Sequence, residues 1–222
     1  PREVVQLLAG VVVVPPHLTE ADLAALRRVK VPYLIAMESD LPGPSIRMGM
    51  REAAGQLTTG LLQRGHRRIA LVTGYAEHAD RQKLAGIETA LNNGGLSLHD
   101  VQIYPTNYNA ALAREASRHM LDRPDRPSAV IGFDDGLAVT VLEEARARGF
   151  DVPTDLSITG FNGSDLSDVT HPPLTTVRLP VYESAVRGTE LLTTGGPSED
   201  LVFDHEILWR GSVGEVPVPH SK

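Results

Sequence analysis

Two periods of hydrophobicity alternate along this chain of 222 residues. Val11 to Val14 form a continuous β-branched run, which predicts a strand buried on both faces of a parallel sheet. Thr19 then opens a helix, with Asp22 in capping-box position and Leu18 and Leu23 placed as a hydrophobic staple. Leu23, Leu26 and Val29 give that helix an apolar side, Val31 to Ala36 predict the next strand, and Met37 to Pro44 a turn-rich loop. From about Glu52 the rhythm becomes regular. A helix carrying Leu57, Leu61 and Leu62 runs to Gly65, a strand follows over Arg68 to Thr73, and a helix over Asp80 to Asn93. Strands at Val101–Tyr104, Ser128–Phe133 and Leu156–Phe161 alternate with helices from Asn109 to Leu121 and from Asp135 to Gly149.

Strands separated by single helices predict βαβ units and a parallel sheet covered on both faces. After Pro172-Pro173 the chain extends again, forms a helix from about Val181 to Thr193 and ends in a strand near Glu206 to Trp209. That late helix is out of step with the βα rhythm, which suggests two sheets that share crossovers. Two strands ending in polar side chains one helix apart, at Asp134-Asp135 and at Asn162-Gly163, are how an open α/β sheet builds a ligand crevice at its carboxyl edge.

Composition narrows the function classes. A formal charge of -7, from 28 acidic and 21 basic residues, argues against a module that grips phosphate backbone by itself. The nearest basic cluster, Arg64, His66, Arg67 and Arg68, reads as a solvated turn. With no cysteine there is neither a disulfide framework nor a thiolate metal site. The eight histidines are scattered, so no metal site is expected. Gly60 to His66 has phosphate-loop glycine spacing but lacks the Lys-Ser/Thr that completes it, and no GxSxG, HExxH or GxGxxG motif appears. An enzyme is therefore not expected, and no cofactor is implied. No apolar stretch is long enough to span a membrane.

Several segments, taken together, resemble the effector-binding domain of LacI/GalR-type transcriptional regulators. They are Leu8-Ala9-Gly10-Val11-Val12-Val13, Val31-Pro32-Tyr33-Leu34-Ile35, Gly65-His66-Arg67-Arg68-Ile69-Ala70, Leu84-Ala85-Gly86 with Ala90-Leu91, Val152-Pro153-Thr154-Asp155-Leu156, Pro172-Pro173-Leu174-Thr175-Thr176-Val177 and Trp209-Arg210-Gly211-Ser212. The resemblance covers nearly the whole chain. It implies a doubly wound α/β, periplasmic-binding-protein-like fold with parallel sheets, in which the C-terminal subdomain is complete and the N-terminal one partial. Residues 1–47 plus 178–197 would make the partial N-terminal subdomain, and 48–177 plus 198–214 the C-terminal one. It implies a cytoplasmic regulator whose operator-DNA contact belongs to a helix-turn-helix headpiece outside this chain, with a sugar or sugar derivative as effector. A periplasmic sugar-binding protein for transport shares the fold and is the alternative.

The resemblance also nominates residues. It gives Asp134 an effector hydrogen bond and Asp135 a structural role, although the family more often has Asn at the first position. Helix capping is the plain alternative for both. Asn162 stands where the family usually has an Asp, beside a glycine that also suits a plain turn. The family's effector-binding Arg, three residues before the glycine, is here Lys83, with Arg81 two residues earlier. Lys lacks the bidentate fork, and both can also be read as solvated charges. Tyr108 falls where an aromatic ring covers the effector. Asp40, past the strand at Ile35, is either a candidate from the other subdomain or a surface turn. For a homodimer, the resemblance implicates Val139, Leu142 and Glu143 on the helix after the Asp-Asp pair, with Thr170 and His171 from the proline loop.

Overall fold

A computed structural model describes residues 8–14, 19–37, 39, 41–75, 78–195 and 199–216. The chain divides into two compact units. Among the described residues, the first falls within Pro1–Met50, Glu77–Ala79 and Leu179–His205, and the second within Arg51–Ala76, Asp80–Arg178 and Glu206–Lys222.

In the first unit β1 (Val11–Val13) lies parallel to β2 (Tyr33–Ile35), joined by α1 (Glu20–Val29). Thr19 caps α1 in the expected box with Asp22, whose carboxylate accepts from the Thr19 amide at 2.9 Å. The proposed staple partner Leu18 lies outside the described residues. Val12 is 46% exposed, so β1 is not buried on both faces as its β-branched run suggests. Among the described residues its sheet has two strands, so β1 is an edge strand. The late helix α7 (Val181–Thr193) packs on this sheet, with Gly188 set against Leu34. A two-residue pair, β3 (Ile46–Arg47) with β9 (Leu201–Val202), adds a parallel contact that periodicity did not reveal. Asp200 pins it, accepting from the Ser45 amide at 2.9 Å, the Ser45 hydroxyl at 2.8 Å and Arg47 Nε at 2.5 Å. Residues 199–205 thus pack in the first unit, and the last segment of the second unit begins at Glu206 and not at residue 198.

The second unit is a six-stranded sheet of order β10-β8-β7-β6-β4-β5. Its strands are β4 (Ile69–Thr73), β5 (Gln102–Pro105), β6 (Ala129–Gly132), β7 (Ser157–Asn162), β8 (Thr175–Arg178) and β10 (Glu206–Leu208). All neighbours are parallel except β10, which runs antiparallel to β8. Every residue of β6 is buried, as the unbroken Ala129–Gly132 run requires of a central parallel strand. The helices are α2 (Met50–Gln63), α3 (His78–Asn93), α4 (Ala110–Leu121), α5 (Asp135–Ala147) and the short α6 (Leu166–Val169). The chain steps from β4 outward to β5, then returns past β4 to β6 and continues the other way. With right-handed crossovers, α3 must then lie on one face and α4 and α5 on the other. Gly86 allows α3 to approach α2 closely, since a Cβ there would collide with the Arg51 carbonyl oxygen. The reversal leaves a switch point between the carboxyl ends of β4 and β6, where open α/β sheets bind ligands.

Candidate functional site

The end of β4 is shaped by a missing side chain. A Cβ on Gly74 would fall inside the Tyr108 ring, so the glycine lets that ring settle over the strand end. The loop after β5 is folded back by two consecutive left-handed residues, Asn107 (φ 52°) and Tyr108 (φ 55°). Thr106 fastens it, its amide and hydroxyl donating to the Thr73 carbonyl at 2.9 and 2.8 Å. The Tyr108 ring lies 5.8 Å from that of Tyr75 at a 57° tilt and keeps 37% of its surface exposed. One aromatic face over a strand end, half open, suits stacking on the C–H face of a small polar ring.

The Tyr108 hydroxyl donates to Asp80 Oδ1 at 2.5 Å. Asp80, in the first turn of α3, is only 6% exposed. Lys83, one turn on and 3% exposed, donates to the Phe133 carbonyl at 2.8 Å and pairs with Asp80 Oδ1 at 3.5 Å. Its ammonium sits 4.8 Å from the Phe161 ring centroid and 5.4 Å from that of Phe133, a geometry in which both rings stabilise the cation. Burial pushes the Asp80 carboxyl above its ordinary value near 3.8, against the opposing pull of Lys83 and Tyr108. Asp134 is close enough to push it further in the same direction. The remaining oxygen, Asp80 Oδ2, is buried with no hydrogen-bond partner. A buried acceptor left unmatched costs about 1–3 kcal/mol.

Asp134 N-caps α5, its Oδ1 accepting from the Leu137 amide at 2.6 Å, and stays half-buried. Its neighbour Asp135 is buried and fully engaged. Asp135 Oδ2 accepts from the Ser164 amide and hydroxyl at 2.7 and 2.8 Å, and Oδ1 from Thr176 at 2.6 Å. Burial raises the Asp135 carboxyl as well, against those three donors. Asn162 ends β7 exposed, in the left-handed region at φ 99°, a conformation Asn tolerates better than most residues.

Of the nominated residues, Lys83 and Tyr108 are therefore joined through Asp80, with Asp134 beside them and Asn162 at the next strand end. Arg81 is exposed on α3, and Asp40 lies outside the described residues. Sequence reading missed Asp80. The available signal was its spacing from Lys83, an i,i+3 acid–base pair on a helix.

Among the interface nominees, Leu142 is 2% exposed and belongs to the core, so it has no surface to offer a partner. It lies on the inner side of α5. Val139 and Thr170 are half-buried, and Glu143 and His171 are exposed. Arg146 on the same helix donates to the His171 carbonyl at 3.2 Å, tying α5 to the proline loop. Nearby, the buried Glu144 gathers Arg118, Arg114 and Arg148 at 3.1–3.2 Å, and its hydrogen bond with Arg118 leads in lowering its carboxyl.

The basic turn also differs from expectation at one residue. His66 is 2% exposed, its Nδ1 3.0 Å from Ser128 Oγ and its Nε2 3.1 Å from the Gly214 carbonyl. Burial lowers its pKa from 6.5. A separate groove of about 750 Å³ runs along α2 and α3 beside Trp209, lined by none of the nominated residues. Its Thr59 and Thr89 hydroxyls are already spent on carbonyls of their own helices, at 2.9 and 2.8 Å.

The sequence model of the periplasmic binding protein-like domain matches residues 58–208. Catabolite control protein A of Priestia megaterium is 32% identical over 190 residues, which are 83% of this chain and 57% of that protein. The chain thus spans a little over half of that relative's length. A LacI transcriptional regulator from a Rhodococcus species superposes with a TM-score of 0.85 at 26% identity, over 97% of this chain and 82% of its own. The transcriptional regulator CelR, in complex with cellobiose, superposes with a TM-score of 0.80 at 25% identity, over 93% of this chain and 66% of its own.

Proposed function

The chain belongs to the periplasmic binding protein-like family, in the form found in LacI-type transcriptional regulators, and from that premise we propose that it senses a small polar effector, a sugar or sugar derivative, on behalf of a DNA-binding regulator. The observation that carries the reading is the buried Asp80–Lys83 pair at the switch point, bonded to the half-open Tyr108, in which one carboxylate oxygen has no partner. The cellobiose bound by CelR supports a carbohydrate. Binding involves no bond making. Nothing in the group resembles a nucleophile with its base, and its one buried cation is already held by a carbonyl and a carboxylate. In the whole regulator, effector occupancy would bias a homodimer between operator-competent and incompetent states. Such couplings amount to about 1–3 kcal/mol.

Titration calorimetry against a panel of pentoses, hexoses, disaccharides and nucleosides tests this. Replacing Asp134 or Tyr108 with Ala removes one ligand contact each, and the expected loss is about tenfold or more in affinity. Unchanged affinity in both variants would move the site elsewhere. The acidic chain, at -7, is expected to show no salt-sensitive operator binding by itself in fluorescence anisotropy. Light scattering at tens of micromolar checks the dimer, for which Val139, Glu143, Thr170 and His171 are the remaining nominees.

A further inference from the structure

The charges at the switch point are unevenly committed. Its buried cation, Lys83, is held by the Phe133 carbonyl, by Asp80 and by the faces of two phenylalanine rings. Its acids are not. Asp80 Oδ2 is buried and unpartnered, and Asp134 is half-buried and near enough to add its negative charge to that of Asp80. On the same helix Arg81 is exposed, and Arg178 sits opposite Asn162 and pairs with Glu206 at 3.1 Å. A ligand arriving at Asp80 therefore meets an acceptor that wants a proton, inside a field set by two carboxylates and one ammonium already engaged.

We propose that this site takes an uncharged ligand that donates hydroxyl or amino hydrogens to it, and rejects phosphorylated forms, with Asp80 as the specificity-determining residue. The inference rests on the effector-binding reading above and adds its ligand class. A hydroxyl donating to Asp80 Oδ2 supplies the one bond the buried carboxylate lacks. A phosphate carries about -1.5 to -2 charges near neutral pH and mainly acceptor oxygens, so it brings repulsion and no such bond. Asp80 also explains why the lysine here does not act as an anion receptor. The carboxylate one turn away neutralises it.

The test has two arms, both on the whole chain. In the first, calorimetry compares ribose with ribose 5-phosphate and glucose with glucose 6-phosphate, alongside the neutral panel. The expected result is that a neutral sugar binds and the phosphorylated partner of any neutral binder is at least tenfold weaker. Phosphorylated sugars that bind as tightly or more tightly, through Arg81 or otherwise, overturn the inference and leave the effector reading standing. If nothing in the panel binds, neutral or phosphorylated, the effector reading falls and the inference with it. The second arm needs no effector. Inorganic phosphate, compared with chloride at equal ionic strength, is expected to give no saturable thermal shift with the wild-type chain. It is expected to give one with Asp80→Asn, in which Lys83 has lost its counter-charge. Saturable phosphate binding by the wild type, or none gained by a folded Asp80→Asn, overturns the proposal. Should the single variant not fold, Asp80→Asn with Lys83→Met removes the pair together. It is expected to bind the wild type's neutral sugar at least tenfold more weakly without gaining phosphate, and unchanged sugar affinity would be decisive against it.

Discussion

Asp135 and Asp80 hold similar stations in the second unit. Each lies in the first turn of a helix that follows a strand, each is buried, and burial raises the carboxyl of each. Their partners differ. Asp135 satisfies both oxygens with three donors from two neighbouring loops and strands, from Ser164 and Thr176. Asp80 places both its bonds on one oxygen and leaves the other bare. A buried acid with a full set of donors is part of the scaffold. One with half a set is an incomplete interaction, and a ligand can complete it.

The sharpest way to break this comparison is to remove the finished carboxylate. Asp135→Ala strips the acceptor from the Ser164 amide and hydroxyl and from Thr176, and is expected to cost about 3 kcal/mol in urea unfolding. A loss under about 1 kcal/mol would mean that its bonds hold nothing in place. Next comes Tyr108→Phe, which deletes the hydroxyl on Asp80 Oδ1 and is expected to cost about 1.5 kcal/mol. The ring should still stack, so sugar affinity is expected to fall less than in Tyr108→Ala, as calorimetry on both would show.

A smaller effect is expected when the unfinished group is removed whole. Asp80→Asn with Lys83→Met replaces a buried ion pair by groups of similar volume, an exchange that is often neutral, and stability is expected to stay within about 1 kcal/mol. A large loss would make the pair scaffold after all. The smallest effect is in the pH profile. A carboxyl raised by folding stabilises most below the ordinary value near 3.8 and loses that contribution as pH rises through its raised pKa. The melting temperature of the wild type, relative to the double variant, is therefore expected to fall as pH rises above about 3.8. A difference that is flat, or rises, places Asp80 ionised and satisfied. His66 runs the other way. Its lowered pKa makes stability fall as pH drops below 6.5 in the wild type, and a His66→Gln variant should lack that slope.

The regular part of the chain was legible because each βα step carries its own period and its own stop signal. The run Ala129–Gly132, the cap at Asn109 and the helix over Val181–Thr193 all appear where the pattern puts them. The pair β3–β9 was not legible, because two-residue strands have no period and this one joins residues 155 positions apart through Asp200. The switch point was read from polar residues at strand ends, which nominated Asp134 and Asn162. Asp80 escaped because an acid in the first turn of a helix is favoured by the helix dipole wherever the helix lies. Its partner Tyr108 lies on a loop whose fold depends on left-handed backbone at Asn107 and on the absence of a side chain at Gly74. Leu142 shows the converse. Family register can name a position on a helix, but which side of α5 faces the core is decided by packing.

The return of the chain to the second unit after its passage through the first affects how the molecule is made. Ser212 donates to the Ile158 carbonyl at 2.6 Å and accepts from the Thr175 amide at 2.8 Å, while Gly214 reaches Ser157 and His66. These bonds join β7 and β8 to residues synthesised only after all of α7. A nascent chain that has just delivered Arg178 therefore has its five parallel strands, but β8 still exposes the edge that β10 will cover. At ordinary translation rates of about 5–20 residues per second, that edge stays open for a few seconds. An open strand edge is a template for pairing with other chains, so this interval exposes the protein to misassembly.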